Sequence, residues 1–289
     1  MDVFNTPVSR KGTYCTQWDF CEDRFGVKDV LPFSISDMDL PIPDAIIRAL
    51  RKRLEHPILG YSRWQHDDYL NAIVNWYHQQ YKTEIKPEWI TYSPSVMYSI
   101  AKAIELLTSH GDNILVFTPV YNAFNSISKT FNVPALTGSY MISTDDNFNH
   151  KFRTISRYRD FVNSPSVLNI IATIIAYNEC EGWLKSLKVH IASNIQFTQQ
   201  YLNENIPELI VRPADGCYFS WIDCSAIGYP FDEFYSRLIH EGKVGIMAGH
   251  VYGTGGEGYL RLNLACGREK LYMGLTRLAS VIKNINQGK

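Results

Sequence analysis

Two residues stand out for the company they keep. Lys129 lies in Ser126-Ile-Ser-Lys-Thr-Phe-Asn-Val-Pro-Ala-Leu-Thr-Gly-Ser-Tyr140, among small hydroxyl and apolar side chains, and no other residue between Tyr121 and Tyr140 is charged. A poorly solvated ammonium is disfavoured, so its pKa falls and the neutral amine can attack a carbonyl, which is what a Schiff-base lysine requires. A single lysine in a loop is more often a plain surface charge, and chemistry alone leaves both readings open. The second residue is Arg261. In Tyr259-Leu-Arg-Leu-Asn-Leu264 the leucines at 260, 262 and 264 face one way, and Tyr259, Arg261 and Asn263 the other. An arginine fixed on a strand can hold a carboxylate by two parallel hydrogen bonds. A solvent-facing arginine on a half-exposed strand is the commoner arrangement.

The elements that must position these groups begin with an α/β rhythm. An irregular aromatic stretch ends in Phe33-Ser-Ile-Ser-Asp-Met-Asp-Leu40, where Asp37 and Asp39 could cap the next helix. That helix is expected from about Pro43 to Glu55, with Ile46, Ile47, Leu50 and Leu54 on one face. After the aromatic loop Gly60-Tyr-Ser-Arg-Trp64 a second helix gathers Leu70, Ile73, Val74 and Tyr77. A short strand at Trp89 to Ser93 leads through Pro94 into a helix with Val96, Ile100, Ile104 and Leu107, closed by Gly111. Ile114 to Phe117 reads as a strand of the kind buried in a parallel sheet, and Ala135 to Ser143 as another strand. The short run through Lys129 between them leaves no room for a crossover unit, which needs about a dozen residues or more. From Asn163 to Asn205 the pattern is helical, with a break near Glu181-Gly182. Strands are expected at Cys217 to Cys224 and Tyr259 to Cys266, and helices at Phe231 to Glu241 and Arg268 to Ile285.

Composition excludes several classes of function. The chain has 289 residues, 45% hydrophobic, and a formal net charge of −1, so nothing points to nucleic acid or an anionic membrane. The run Arg51-Lys52-Arg53 sits in a helical pattern and reads as its solvated face. No apolar stretch reaches spanning length and the N-terminus has no secretory character, so a cytoplasmic protein is expected. Six scattered cysteines without a Cys-x-x-Cys pair fit reduced thiols. The dispersed histidines predict no metal site. Gly253-Thr-Gly-Gly-Glu-Gly258 matches G-x-G-x-x-G in letters but precedes a strand rather than a helix, and reads as a flexible turn.

Taken together, several segments resemble the MalY/PatB group of fold-type I pyridoxal-phosphate enzymes, the cystathionine β-lyase or carbon–sulfur lyase branch of the aminotransferase superfamily. They are Gly12-Thr-Tyr-Cys-Thr-Gln-Trp-Asp19, Leu31-Pro-Phe-Ser-Ile-Ser-Asp-Met-Asp39, Gly60-Tyr-Ser-Arg-Trp64, Tyr92-Ser-Pro-Ser-Val96, Thr118-Pro-Val-Tyr-Asn-Ala-Phe124, Ser128 to Gly138, Asn163-Ser-Pro-Ser-Val167 and Tyr259 to Cys266. The resemblance covers nearly the whole chain in the family's order. It implies that Lys129 binds pyridoxal 5'-phosphate and moves the substrate's Cα proton, and that Tyr121 stacks on the cofactor ring. It further implies that the backbone at Ser95 and Val96 holds the phosphate at a helix N-terminus. Tyr61 would reach that phosphate from the neighbouring subunit of a homodimer, and Arg261 would clamp the substrate α-carboxylate. The implied fold is an α/β large domain at 36–174, reduced to a mixed sheet missing several strands. A small α+β domain at 175–289 would be joined by an N-terminal arm at 1–35. The implied reaction is β-elimination at a carbon–sulfur bond, with pyruvate, ammonia and a thiol as products. A pyridoxal-phosphate aminotransferase is the alternative within the same chemistry.

One departure bears on all of this. Between the counterparts of Tyr121 and Lys129 the family carries a long segment that this chain lacks. That segment supplies an asparagine near an Asn-Pro-x-Gly turn and the aspartate of a Ser-Asp-Glu-Ile-like run that pairs with the pyridine nitrogen. Neither motif occurs in this chain. A noncatalytic deletion derivative is therefore the reading from another functional class. The family order also puts the strand ending at Ser143 beside that of Trp89 to Ser93, and leaves Ile114 to Phe117 without its usual neighbours. The small domain should be the less affected part.

Overall fold

A computed structural model describes residues 3–121, 138–212 and 216–287. Lys129 and the first part of the expected strand at Ala135 to Ser143 lie outside the described residues. In chain order the elements are α1 (Cys21–Phe25), β1 (Leu31–Pro32), α2 (Asp44–Leu54), α3 (Asp67–Tyr81), β2 (Ile90–Ser93) and α4 (Val96–Leu107). There follow β3 (Ser139–Ile142), α5 (Asp146–Tyr158), α6 (Val167–Glu179), α7 (Glu181–Asn205), β4 (Ile210–Arg212) and β5 (Phe219–Asp223). The chain closes with α8 (Phe231–His240), β6 (Val244–Gly245), β7 (Met247–Ala248), β8 (Tyr259–Asn263) and α9 (Arg268–Gln287). The described residues divide into two compact units, one of 3–41, 116–121 and 185–287, the other of 42–115 and 138–184.

The first unit is built on a four-stranded antiparallel sheet in the order β4-β5-β8-β7. β8 is central, with Trp221 and Met247 flanking Arg261 on either side. Leu260, Leu262 and Leu264 join Ile222, Phe234, Leu238, Leu271, Leu275 and Leu278 in one core that takes in the inner faces of α8 and α9. β1 pairs in parallel with β6, which fixes the N-terminal segment to this core. Gly274 in α9 shows how close the packing is. A Cβ there would lie 2.5 Å from the Phe33 ring, so a helix-weakening glycine is the residue that fits.

In the second unit β2 and β3 form a two-stranded antiparallel sheet, with Ile90 opposite Ile142 and Ser93 opposite Ser139. α3 and α6 cover it through Tyr69, Ile73 and Ile170, which surround Ile90 and Tyr92. A separate small cluster of Tyr98, Phe148 and Phe152 joins α4 to α5. The pairing of the Ala135-to-Ser143 strand with the Trp89-to-Ser93 strand stands, although Trp89 itself falls in a 3-10 turn.

Three expectations are corrected. Ile114 to Phe117 forms no strand, and Leu115 and Phe117 are 81% and 82% exposed. Four apolar residues in a row form a buried strand only where neighbouring strands accept their backbone groups, and no strand among the described residues does so. Asp37 and Asp39 do not cap α2, whose N-cap is Pro43 without a side-chain hydrogen bond. α4 ends at Thr108, three residues before Gly111, with the Thr108 N–H bonded to Ile104 O. The break in the long helical region falls at Cys180, between α6 and α7. The glycine-rich run is a turn before β8, with positive φ at Gly253, Gly255 and Gly258.

Candidate functional site

Arg261 is the most informative residue of the first unit. It is only 8% exposed, because both faces of β8 are covered rather than one. Its guanidinium carbon lies 4.1 Å from the centre of the Phe219 ring and 4.4 Å from that of Tyr252. One terminal nitrogen donates to the Ser34 carbonyl at 2.6 Å. Nε is buried with no hydrogen-bond partner, and the buried Ser34 hydroxyl has none either. No carboxylate pairs with this guanidinium among the described residues. Burial accordingly lowers its pKa, against the opposing influence of Tyr252, Cys217, Tyr218 and Tyr121. A buried cation without a counter-ion is costly, and it attracts an anion that can bring two oxygens.

The segment facing Arg261 is held along its length. Asn263 Nδ2 donates to the carbonyls of Ile35 and Asp37 at 2.8 and 2.7 Å. Gln17 Oε1 accepts from the Ile35 N–H at 3.3 Å. The Asp39 carboxylate accepts from Trp18 Nε1 and Arg10, both at 2.9 Å, and pairs with Lys270. Burial pushes the Asp39 carboxyl up, but the Lys270 charge and these hydrogen bonds outweigh it and hold the group below its ordinary range. Asp37 pairs with Arg10 at 2.6 Å. The two aspartates therefore act as anchors for residues 34–39.

Tyr121 is half-exposed and is an electrostatic neighbour of both Arg261 and Tyr252. The residues before it are fixed by the Val120 N–H, which donates to the Tyr252 carbonyl at 2.8 Å. Tyr121 and Arg261 are thus brought into one neighbourhood.

Ser95, Val96 and Tyr61 belong to the second unit. Ser95 is the N-cap of α4, its hydroxyl accepting from the Tyr98 N–H at 3.1 Å, while the Ser93 hydroxyl donates to the Ser95 carbonyl at 2.9 Å. The N–H groups of Val96 and Met97 have no acceptor among the described residues, and Val96 is 60% exposed. Such a helix end offers free donors and the positive end of the helix dipole to an anion. Tyr61 follows Gly60 at positive φ and is 99% exposed.

Sequence reasoning missed α5 altogether. Its signals were present: Asp145 as an N-cap accepting from the Phe148 N–H at 3.0 Å, and Phe148, Phe152 and Ser156 at helical spacing on the buried face. With it were missed His150, Arg153 and Arg157. Among the described residues no group of three histidines, cysteines or acids is close enough to hold a metal ion, and no helix is long and apolar enough to cross a membrane.

Protein MalY of Escherichia coli K12 is 28% identical over an alignment of 386 residues that takes in 98% of this chain and 99% of the relative. Cystathionine beta-lyase PatB of Bacillus subtilis is 24% identical over 386 residues, covering 96% and 99%. Both alignments are far longer than the 289 residues present here, so a long stretch of each relative has no counterpart. A pyridoxal-phosphate-bound structure from Clostridium difficile 630, described as an aminotransferase, superposes with a TM-score of 0.90 at 27% identity, covering 96% of this chain and 99% of that one. The family model for aminotransferase class I and II matches residues 28–127 and 122–278, and the chain belongs to that family, with the α/β fold of its members shortened in the second unit.

Proposed function

We propose that this chain is a pyridoxal-phosphate-dependent lyase that cleaves a carbon–sulfur bond of cystathionine or a related cysteine conjugate by β-elimination. The observation that carries the proposal is Arg261, a buried guanidinium whose Nε has no partner and which forms no ion pair among the described residues, on a strand whose sequence the family resemblance singles out. The unpaired donors at Val96 and Met97, with the Ser95 hydroxyl, suit the cofactor's phosphate. Bound pyridoxal 5'-phosphate supplies a conjugated ring that takes up the electrons released at Cα, so that a thiolate can leave from Cβ.

The chain's own residues have the following roles in this reading. Arg261 binds the substrate α-carboxylate, and the Phe219 and Tyr252 rings exclude water from that contact. Residues 34–39, anchored through Asp39, set the plane of the guanidinium by way of the Ser34 carbonyl. Lys129 holds the cofactor and removes the Cα proton. Tyr121 packs against the cofactor ring. Tyr61 serves a partner subunit of a homodimer, in keeping with its full exposure in a single chain.

The missing segment favours a second reading, a noncatalytic derivative, because the Ser-Asp-Glu-Ile-like run that the family resemblance assigns to the ring nitrogen does not occur in this sequence. One experiment separates the two. The 289-residue chain is purified with pyridoxal 5'-phosphate, and its visible absorbance and pyruvate release from cystathionine are compared with those of Lys129→Ala. Lysine-dependent yellow colour and pyruvate support the lyase. A colourless protein, or equal rates in both proteins, rejects it. Transfer of the amino group to an added keto acid without pyruvate would identify an aminotransferase instead.

A further inference from the structure

α5 gathers His150, Arg153, Thr154 and Arg157 at spacings of three and four, which places them along one helical face. That face borders a cavity of about 220 Å³ whose other walls include Trp64, Thr91, Tyr92 and Asn163. Every lining residue is neutral or basic; there is no acid among them. The volume lies below the roughly 300 Å³ at which pockets for drug-sized ligands begin, so an occupant must be small.

None of the three basic side chains forms an ion pair among the described residues. Arg153 spends its Nε on the Thr91 hydroxyl at 2.9 Å and one terminal nitrogen on the carbonyls of Glu88 and Ile90 at 2.9 and 3.1 Å. These acceptors are uncharged, so they fix the guanidinium over the Trp64 ring without removing its charge. Its second terminal nitrogen has no partner among the described residues. Among the described residues Arg157 stacks on Tyr158 without an ion pair, and His150 has no hydrogen-bond partner. Asp146, a further turn back on the helix, acts on Arg153 electrostatically without forming an ion pair with it. The neighbouring cations behave differently: Lys102 and Arg159 are both paired, with Glu105 and Asp160.

We propose that this cavity is a binding site for a small oxyanion, a phosphate or phosphate monoester, held by Arg157, His150 and the free edge of Arg153. It is distinct from the end of α4 and from Arg261, and it does not depend on the lyase reading. Arg153 is pre-organised by backbone carbonyls, and Arg157 and His150 close on the ligand from the exposed side.

The test is a titration of the purified chain with inorganic phosphate, followed by 31P line broadening at constant ionic strength, in the parent protein and in Arg157→Gln and His150→Gln. Losing a charge-assisted hydrogen bond worth about 1.5–3 kcal/mol predicts at least about a tenfold weaker Kd in Arg157→Gln, with the melting temperature unchanged because the residue is exposed. Ser95→Ala serves as the control and leaves this binding in place. A parallel titration with glycerol phosphate names the source: tighter binding than inorganic phosphate indicates a monoester, and weaker binding indicates free phosphate. Saturation by chloride or acetate at the same concentrations, or a Kd unmoved by both α5 variants, would overturn the assignment.

Discussion

β8 of the four-stranded sheet and β3 of the β2-β3 sheet are strands of similar length with opposite outcomes. In the first unit β8 has a hydrogen-bonded neighbour on each side, and its leucines enter one core shared with α8 and α9. In the second unit β3 has one neighbour among the described residues, β2. The Ser143 N–H bonds to the Trp89 carbonyl, so the backbone groups of Tyr140 and Ile142 point the other way, where they have no partner among the described residues. The buried residues of that unit fall into separate clusters. The relatives carry a long stretch that is absent here, and the two segments matched by the family model meet at residues 122–127, beside this second unit in sequence. What the contrast teaches is that a deletion need not spread its cost evenly. A unit with a four-stranded sheet keeps one shared core, and a unit whose described sheet has two strands keeps an open edge.

The hardest test of this contrast is to damage the better-built side. Phe234 is fully buried in the core of the first unit. Phe234→Ala should cost about 3–5 kcal/mol in that unit's unfolding, read by hydrogen exchange at β5 and β8, with protection of β2 and β3 unchanged. Loss of protection in both units together would show that they do not fold separately.

Acid should produce a smaller loss in both. Hydrogen bonds from Arg159 and Lys102 hold Glu105 down to about 2, and the Ser225 backbone N–H followed by Arg212 holds Asp223 at about 2. A carboxyl with a depressed folded pKa contributes stability that is fully present above its unfolded value and is lost as pH falls through the folded one. Stability should therefore decline from about pH 4.5 towards pH 2. Asp223→Asn should flatten that slope for the first unit only, and a slope unchanged in chemical denaturation would discard the linkage.

The smallest effect is expected at Arg261. Replacing a buried, unpaired charge by a side chain of similar volume is often neutral or stabilising. Arg261→Met should leave the first unit's midpoint within about 1 kcal/mol of the parent while abolishing calorimetric binding of amino-acid carboxylates. A large stability loss would mean that the guanidinium serves the fold rather than a ligand.

Local pattern carried much of this structure. The alternation in Tyr259 to Leu264 located β8, and the Glu181-Gly182 signal located the junction of α6 and α7 to within a residue or two. Motif order paired the strand ending at Ser143 with that of Trp89 to Ser93. What stayed hidden depended on partners distant in sequence. Asp39 looked like a helix cap because Lys270, its counter-ion, lies 231 residues away. Arg261 looked half-exposed because alternation reports which side a residue faces, but not whether a loop such as 34–37 covers that side. Ile114 to Phe117 looked buried because composition records the appetite of a segment for a sheet and not whether the sheet is there. Lys129 lies outside the described residues, so its role rests on the motif around it.

The exposed run from Ile114 to Phe117 makes concentration a structural variable for this chain. Burying its four exposed apolar side chains between molecules is favourable by the area removed from water, and higher concentration offsets the entropy that association costs. A dilute sample and a crowded one need not contain the same particle, and light scattering across a dilution series is the measurement that tells them apart.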